Sequence, residues 1–128
     1  MYFLVPLSIN APQTLYQPTT GDTISLTCVI TSGTATEIRW YKNSQQLSIF
    51  SNPRMSGGNT NTPTLTISNV QTTDAGSYEC EGTDGTQTVK TNTITVTVRG
   101  MLMIFITRNN AEYELFMSFF LLLYEFVL

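Results

Sequence analysis

The 128 residues hold six basic and nine acidic side chains, a net charge of −3, with only 12% charged. That balance excludes the basic footprint of a nucleic-acid binder, and no Lys/Arg run offers a dock for an anionic membrane surface. With no histidine, the chain also lacks the commonest general base and zinc ligand, and the ordinary Ser/His/Asp and Cys/His arrangements.

Polarity comes instead from Thr, Ser, Asn and Gln, and threonine suits pleated strands. Residues 1–20 mix short apolar pieces with Pro6, Pro12 and Pro18. Prolines at such spacing suit a kinked edge strand, expected near residues 3–9 with a second piece near 14–17. The apolar start is broken by Pro6 and lacks a basic n-region, so it makes no convincing signal peptide. After Gly21-Asp22, the residues Ile24, Leu26, Cys28 and Ile30 alternate with polar partners, the period of a half-buried strand. In EIRWYK, Ile38 and Trp40 share one face and Arg39 and Tyr41 the other. A turn is expected over 43–46, and the Ser/Asn/Gly-rich stretch 48–62 carries little strand signal.

Alternation resumes with Leu65 and Ile67, and Val70 follows across a corner. In residues 77–82, Tyr78 and Cys80 point inward and Glu79 and Glu81 outward. Asp84-Gly85 is a hairpin signal. The last strand places Ile94, Val96 and Val98 on one face. Seven to eight short strands follow, with no helix before residue 100, which indicates a sandwich or barrel. Cys28 and Cys80 are too far apart for a CxxC pair and too few for a zinc cage, so they read as one structural disulfide, implying an oxidising compartment. Cys28, Trp40 and Cys80 all fall on inward faces, an agreement that a one-residue register slip would destroy.

These residues resemble the immunoglobulin superfamily. DTISLTC followed by Trp40 resembles the step from strand B to strand C. LTISNVQTTDAGSYEC (65–80) resembles strands E to F with the D-x-G-x-Y-x-C signature. The resemblance covers residues 3–99 and implies an all-β, two-sheet antiparallel Greek-key sandwich with a Cys28–Cys80 inter-sheet disulfide. Trp40 and Leu65 then belong to the core. Gly76 allows the tight corner, Tyr78 places its hydroxyl on upstream backbone, and Asp74 pairs with Arg54. The interval from Trp40 to Leu65 is short for a variable-type domain and resembles the intermediate set.

No catalytic, cofactor-binding or metal-binding residue emerges. Glu79 and Glu81 read as solvated surface rather than an acid–base pair, and Asp74 as a salt-bridge partner rather than a metal ligand. Turns account for the SGG and GTDG glycines, and no N-glycosylation sequon occurs. The family binds through loop ends or the sheet of strands C, F and G. The resemblance therefore makes Arg39, Tyr41, Glu79 and Glu81 the candidate partner face, with Asp84 at an alternative contact tip. The expected role is extracellular or cell-surface protein recognition or adhesion, in a secreted or membrane-anchored chain, with another such domain or a surface protein as partner. The alternatives are a spacer in a multi-domain array and soluble immune recognition. Enzymatic activity is not expected.

Residues 100–128 break the pattern. In 115–128 only Ser118 and Glu125 are polar, yet a helix there would reach about 21 Å against roughly 30 Å of bilayer hydrocarbon. Three readings of this apolar tail stay open: a truncated or interfacial membrane anchor, read-through beyond the domain, or a helix packed on another domain.

Overall fold

A computed structural model describes residues 5–100 and the backbone pairing of 103–109 with 112–118. In chain order the strands are β1 (Ser8–Asn10), β2 (Leu15–Tyr16), β3 (Ile24–Leu26), β4 (Val29–Ser32), β5 (Glu37–Lys42), β6 (Gln45–Gln46), β7 (Met55–Gly57), β8 (Leu65–Ile67), β9 (Gly76–Thr83), β10 (Thr88–Lys90) and β11 (Ile94–Val96). One sheet runs β2-β11-β9-β5-β6, with β10 also on β9. Facing it are the ladders β3-β8-β7 and β1-β4, which form one layer because β3 and β4 are successive pieces of one extended run. These strand pairings are antiparallel except β2 with β11, whose parallel run is continued by the Thr19–Arg99 bridge. The result is a two-sheet antiparallel sandwich.

The core lies where alternation predicts it. Leu26 and Cys28 from one sheet meet Trp40, Tyr78, Cys80, Ile94 and Val96 from the other, all buried with Leu65, Ile67 and Val70. Cys28 is disulfide-bonded to Cys80, and Trp40 stands directly across the ladder from Cys80. The Trp40 indole N–H donates to the Pro63 carbonyl at 2.8 Å, so the largest core side chain leaves no polar atom unpaired. Among the described residues no buried side-chain nitrogen or oxygen lacks a partner.

Several elements differ from the alternation pattern. The first edge strand is confined to Ser8–Asn10, while residues 1–4 lie outside the described residues. The chain then crosses past Pro12, so that β2 joins the opposite sheet beside β11. The run from Ile24 to Ser32 changes partners midway: β3 pairs with β8 and β4 with β1. At the change, the Tyr16 hydroxyl accepts from the Thr27 N–H (3.2 Å) and Thr64 Oγ1 from the Cys28 N–H (3.3 Å). Side chains thus satisfy donors that the ladder abandons. Two 3₁₀ turns, Ile49–Ser51 and Thr72–Asp74, occur where no helix was expected. Each is a single turn and leaves no periodic signal in sequence.

Beyond residue 100, β12 (Met103–Asn109) and β13 (Glu112–Ser118) pair with each other as an antiparallel hairpin. Across these residues the helical reading of the tail gives way to strand pairing. The rest of the tail, 119–128, lies outside the described residues.

The disulfide closes a long loop across both sheets. Replacing both Cys28 and Cys80 by Ala is expected to lower unfolding free energy by roughly 4 kcal/mol, read as a reduced urea midpoint against the oxidised wild type.

Candidate functional site

Two clusters carry the residues singled out by sequence. The first is the corner before β9. The Arg54 guanidinium grips the Asp74 carboxylate with two bonds, at 2.6 and 3.0 Å. The Gln71 N–H donates to the same carboxylate at 2.7 Å, closing a capping box on the Thr72–Asp74 turn. The buried Tyr78 hydroxyl donates to the Asp74 carbonyl at 2.6 Å. Burial of Tyr78, and then the Asp74 charge beside it, hold that hydroxyl protonated well above the usual tyrosine range. Gly76 takes φ +155°, and a Cβ there would sit 2.9 Å from Asn43 Oδ1, the atom that accepts the Ser77 N–H. All of these interactions pin the entry to β9, and hence Cys80, to the sheet. This cluster is structural and presents no free donor set.

The second cluster is the outward face of β5, β9 and β10. Register sets Arg39 beside Glu81 and Tyr41 beside Glu79, with Lys90 on the far side of Glu81. All four sequence candidates on β5 and β9 therefore share one face. Glu81, expected as solvated surface, is instead buried at 8% exposure. Three longer side chains close over it. The Tyr41 hydroxyl donates to its Oε1 (3.1 Å), the Arg39 guanidinium stands 3.7 Å from Oε1, and the Lys90 ammonium 3.8 Å from Oε2. Lys90 also lies over the Tyr41 ring, 4.5 Å from its centroid, and Arg39 forms a bidentate pair with Glu37 at 2.7 and 2.8 Å. The face is thus a ready-made platform of one aromatic ring and two cations around a sunken carboxylate. Glu79 is half-buried.

Sequence reading missed Lys90 and Glu37. Glu37 opens the same EIRWYK alternation that places Arg39 and Tyr41. Lys90 becomes visible only once the Asp84 hairpin is folded back in register.

Asp84 stands apart, in the β9–β10 hairpin loop. Its carboxylate accepts from the Thr86 and Gln87 N–H groups, the Thr86 hydroxyl and the Gln87 amide. Those bonds, Gln87's foremost, hold its carboxyl far below the ordinary range. Its acceptor capacity belongs to the turn rather than to a partner. Among the described residues no group of three or more acidic, Cys or His side chains could hold a metal.

The corner makes stability depend on acid in a defined direction. Burial pushes the Asp74 carboxyl up, but the Arg54 bonds, the Gln71 N–H and the charges of Arg54 and Lys42 together bring it below its ordinary value. A depressed folded pKa contributes stability that is fully present above the unfolded value of about 3.9, and lost as pH falls through the folded one. Asp84 adds a loss of the same sign. Asp74→Asn is therefore expected to be less stable than wild type at neutral pH, with the gap narrowing as denaturant midpoints are followed down below pH ~4.

Comparison with known proteins agrees with this architecture. The family model described as "Immunoglobulin domain" matches residues 8–83. No curated protein matches the chain. Among solved structures, the tandem Ig repeats of Dlar superpose with a TM-score of 0.63 at 28% identity, covering 76% of this chain and 49% of that one. The N-terminal Ig1-2 module of the Drosophila receptor protein tyrosine phosphatase DLAR superposes with a TM-score of 0.60 at 28% identity, covering 74% and 45%. The chain thus spans about half the length of either structure. A matched family model, a disulfide-bridged sandwich and the Trp40–Cys80 core together place this chain in the immunoglobulin domain family.

Proposed function

We propose that this domain is a non-catalytic, extracellular protein-recognition or adhesion module of intermediate-set type, bounded near residues 3 and 99, which binds through the outward face of β5, β9 and β10. The observation that carries this reading is the platform of Arg39, Tyr41 and Lys90 around the buried Glu81. Tyr and Arg are the side chains most often found as interface anchors. Here both are already held in place, which lowers the ordering cost of binding. A platform of mixed charge with a half-buried ring suits a folded protein surface, such as another immunoglobulin domain or a cell-surface protein. The Cys28–Cys80 disulfide supports an oxidising, extracellular setting. A membrane contact would run through residues 115–128; among the described residues no helix is long and apolar enough to cross a bilayer.

The second reading is a spacer in a multi-domain array. It is favoured by the likeness to tandem Ig repeats, each about twice the length that this chain covers.

The two readings part on one measurement. Beads coated with the full chain are assayed for adhesion to each other and to cells, with Arg39→Glu and Tyr41→Ala compared against wild type. Loss of an anchor of about 2 kcal/mol corresponds to a roughly 30-fold weaker interaction. Both variants are expected to lose adhesion; each also removes a partner of the buried Glu81 and so lowers the melting temperature, and both are compared with wild type at a temperature where circular dichroism shows them folded. Equal, low adhesion of all three coatings favours the spacer.

A further inference from the structure

Glu79 and Glu81 stand two residues apart on the outward side of β9, yet the domain treats them differently. Glu81 is enclosed by Tyr41, Arg39 and Lys90. Glu79 is half-buried, and its carboxylate has no hydrogen-bond or salt-bridge partner among the described residues. The other acidic side chains of residues 5–100 are all engaged. Glu37 pairs with Arg39 and Asp74 with Arg54, Asp22 accepts the Thr19 N–H at 2.9 Å, and Asp84 is saturated by its own turn.

The surroundings of Glu79 explain why it is left over. It lies directly across the ladder from Tyr41, where facing Cβ atoms stand roughly 5 Å apart. The Tyr41 hydroxyl does not serve it, because that proton goes to Glu81 Oε1. Arg39 and Lys90 are drawn to Glu81 as well, at 3.7 and 3.8 Å. With Arg39 set against Glu37 and Lys90 against Glu81, Glu79 carries the uncompensated charge of this face among the described residues. A carboxylate partly withdrawn from water and given no partner forfeits hydration without return. A cation arriving from outside restores that loss.

We propose that Glu79 is the specificity-determining residue of the β5–β9–β10 face, and that it receives a lysine or arginine side chain of a different protein. The inference rests on that face being the recognition surface and adds the chemistry of its partner. A second copy is ill-equipped for the role. Of the basic side chains in residues 5–100, Arg39, Arg54 and Lys90 are paired with acids of their own domain, and Lys42 donates to the Thr73 carbonyl. Arg99 lies beyond the end of β11, beside Gln17. The net charge of −3 also opposes the approach of another copy and favours that of a basic surface.

Beads coated with the full chain are tested on cells, and on each other, in isotonic sucrose–saline mixtures from about 0.01 to 0.15 M salt, over which the screening length falls from ~30 to ~8 Å. Wild-type adhesion to cells is expected to weaken as salt rises. Glu79→Gln keeps the shape and one acceptor oxygen but removes the charge. It is expected to adhere roughly tenfold more weakly at low salt and to respond less to salt, and Glu79→Lys to lose adhesion altogether. Glu79→Gln should keep the wild-type melting temperature, since no group of its own domain leans on that carboxylate.

Glu79→Gln that adheres as wild type does, with the same salt response, overturns the proposal. If Tyr41→Ala has lost adhesion in the same series, the recognition role stands without it. A lowered melting temperature in Glu79→Gln would show the carboxylate serving its own domain and also counts against the proposal. Adhesion of beads to one another that matches their adhesion to cells overturns the assignment to a different protein. Equal, low adhesion of wild type and every variant removes the recognition role and this inference together.

Discussion

The sandwich depends on one cross-sheet contact, the Cys28–Cys80 disulfide beside the Trp40 ring. A two-layer sheet structure has no helix to lock its layers, and its sheets can slide on an apolar interface. The disulfide removes that freedom by tying the β3–β4 run to β9. Trp40, opposite Cys80 on β5, then fills the space around the bridge. Its indole N–H reaches Pro63 on the other layer's side of the core, adding a directional bond to a non-directional packing force.

The polar clusters work outward from that centre. The Arg54–Asp74–Gln71 cluster and the Tyr78 hydroxyl fix the corner that launches β9. Thr91 continues the pattern on the neighbouring strand: its hydroxyl accepts the Cys80 N–H and its own N–H donates to the Cys80 carbonyl. The backbone of one disulfide residue is thereby satisfied where β10 and β11 part. Burying a polar group without a partner costs about 1–3 kcal/mol, so side-chain hydroxyls at such breaks allow strands to change partners without that loss. The abundance of threonine acquires a physical role here beyond strand propensity.

The outward face of β5, β9 and β10 shows the opposite use of polarity. Glu81 is buried, yet it organises exposed groups rather than the core. With Tyr41, Arg39 and Lys90 folded over it, the carboxylate acts as an internal counter-ion that holds an aromatic ring and two cations in fixed relation. At the sheet edge, the 3₁₀ turn leaves Phe50 fully exposed instead.

What the sequence determined by itself was the pattern that period two can carry. Inward Leu26, Cys28, Trp40, Leu65, Ile67, Tyr78, Cys80, Ile94 and Val96 were legible because a pleated strand has only two faces. The D-x-G-x-Y-x-C motif marked the corner because its parts interact within a few residues. What only the tertiary structure decided depends on neighbours distant in sequence. Glu81 looked solvated, since alternation tells which face a residue takes but not how long its cross-strand neighbours are. Lys90 joined that face only through hairpin register, and the exposure of Phe50 came from a single 3₁₀ turn too short to leave a period. The switches of β2 and β4 between ladders were likewise invisible. Strand pairing is a non-local choice, and a sequence read along one dimension carries no direct record of it.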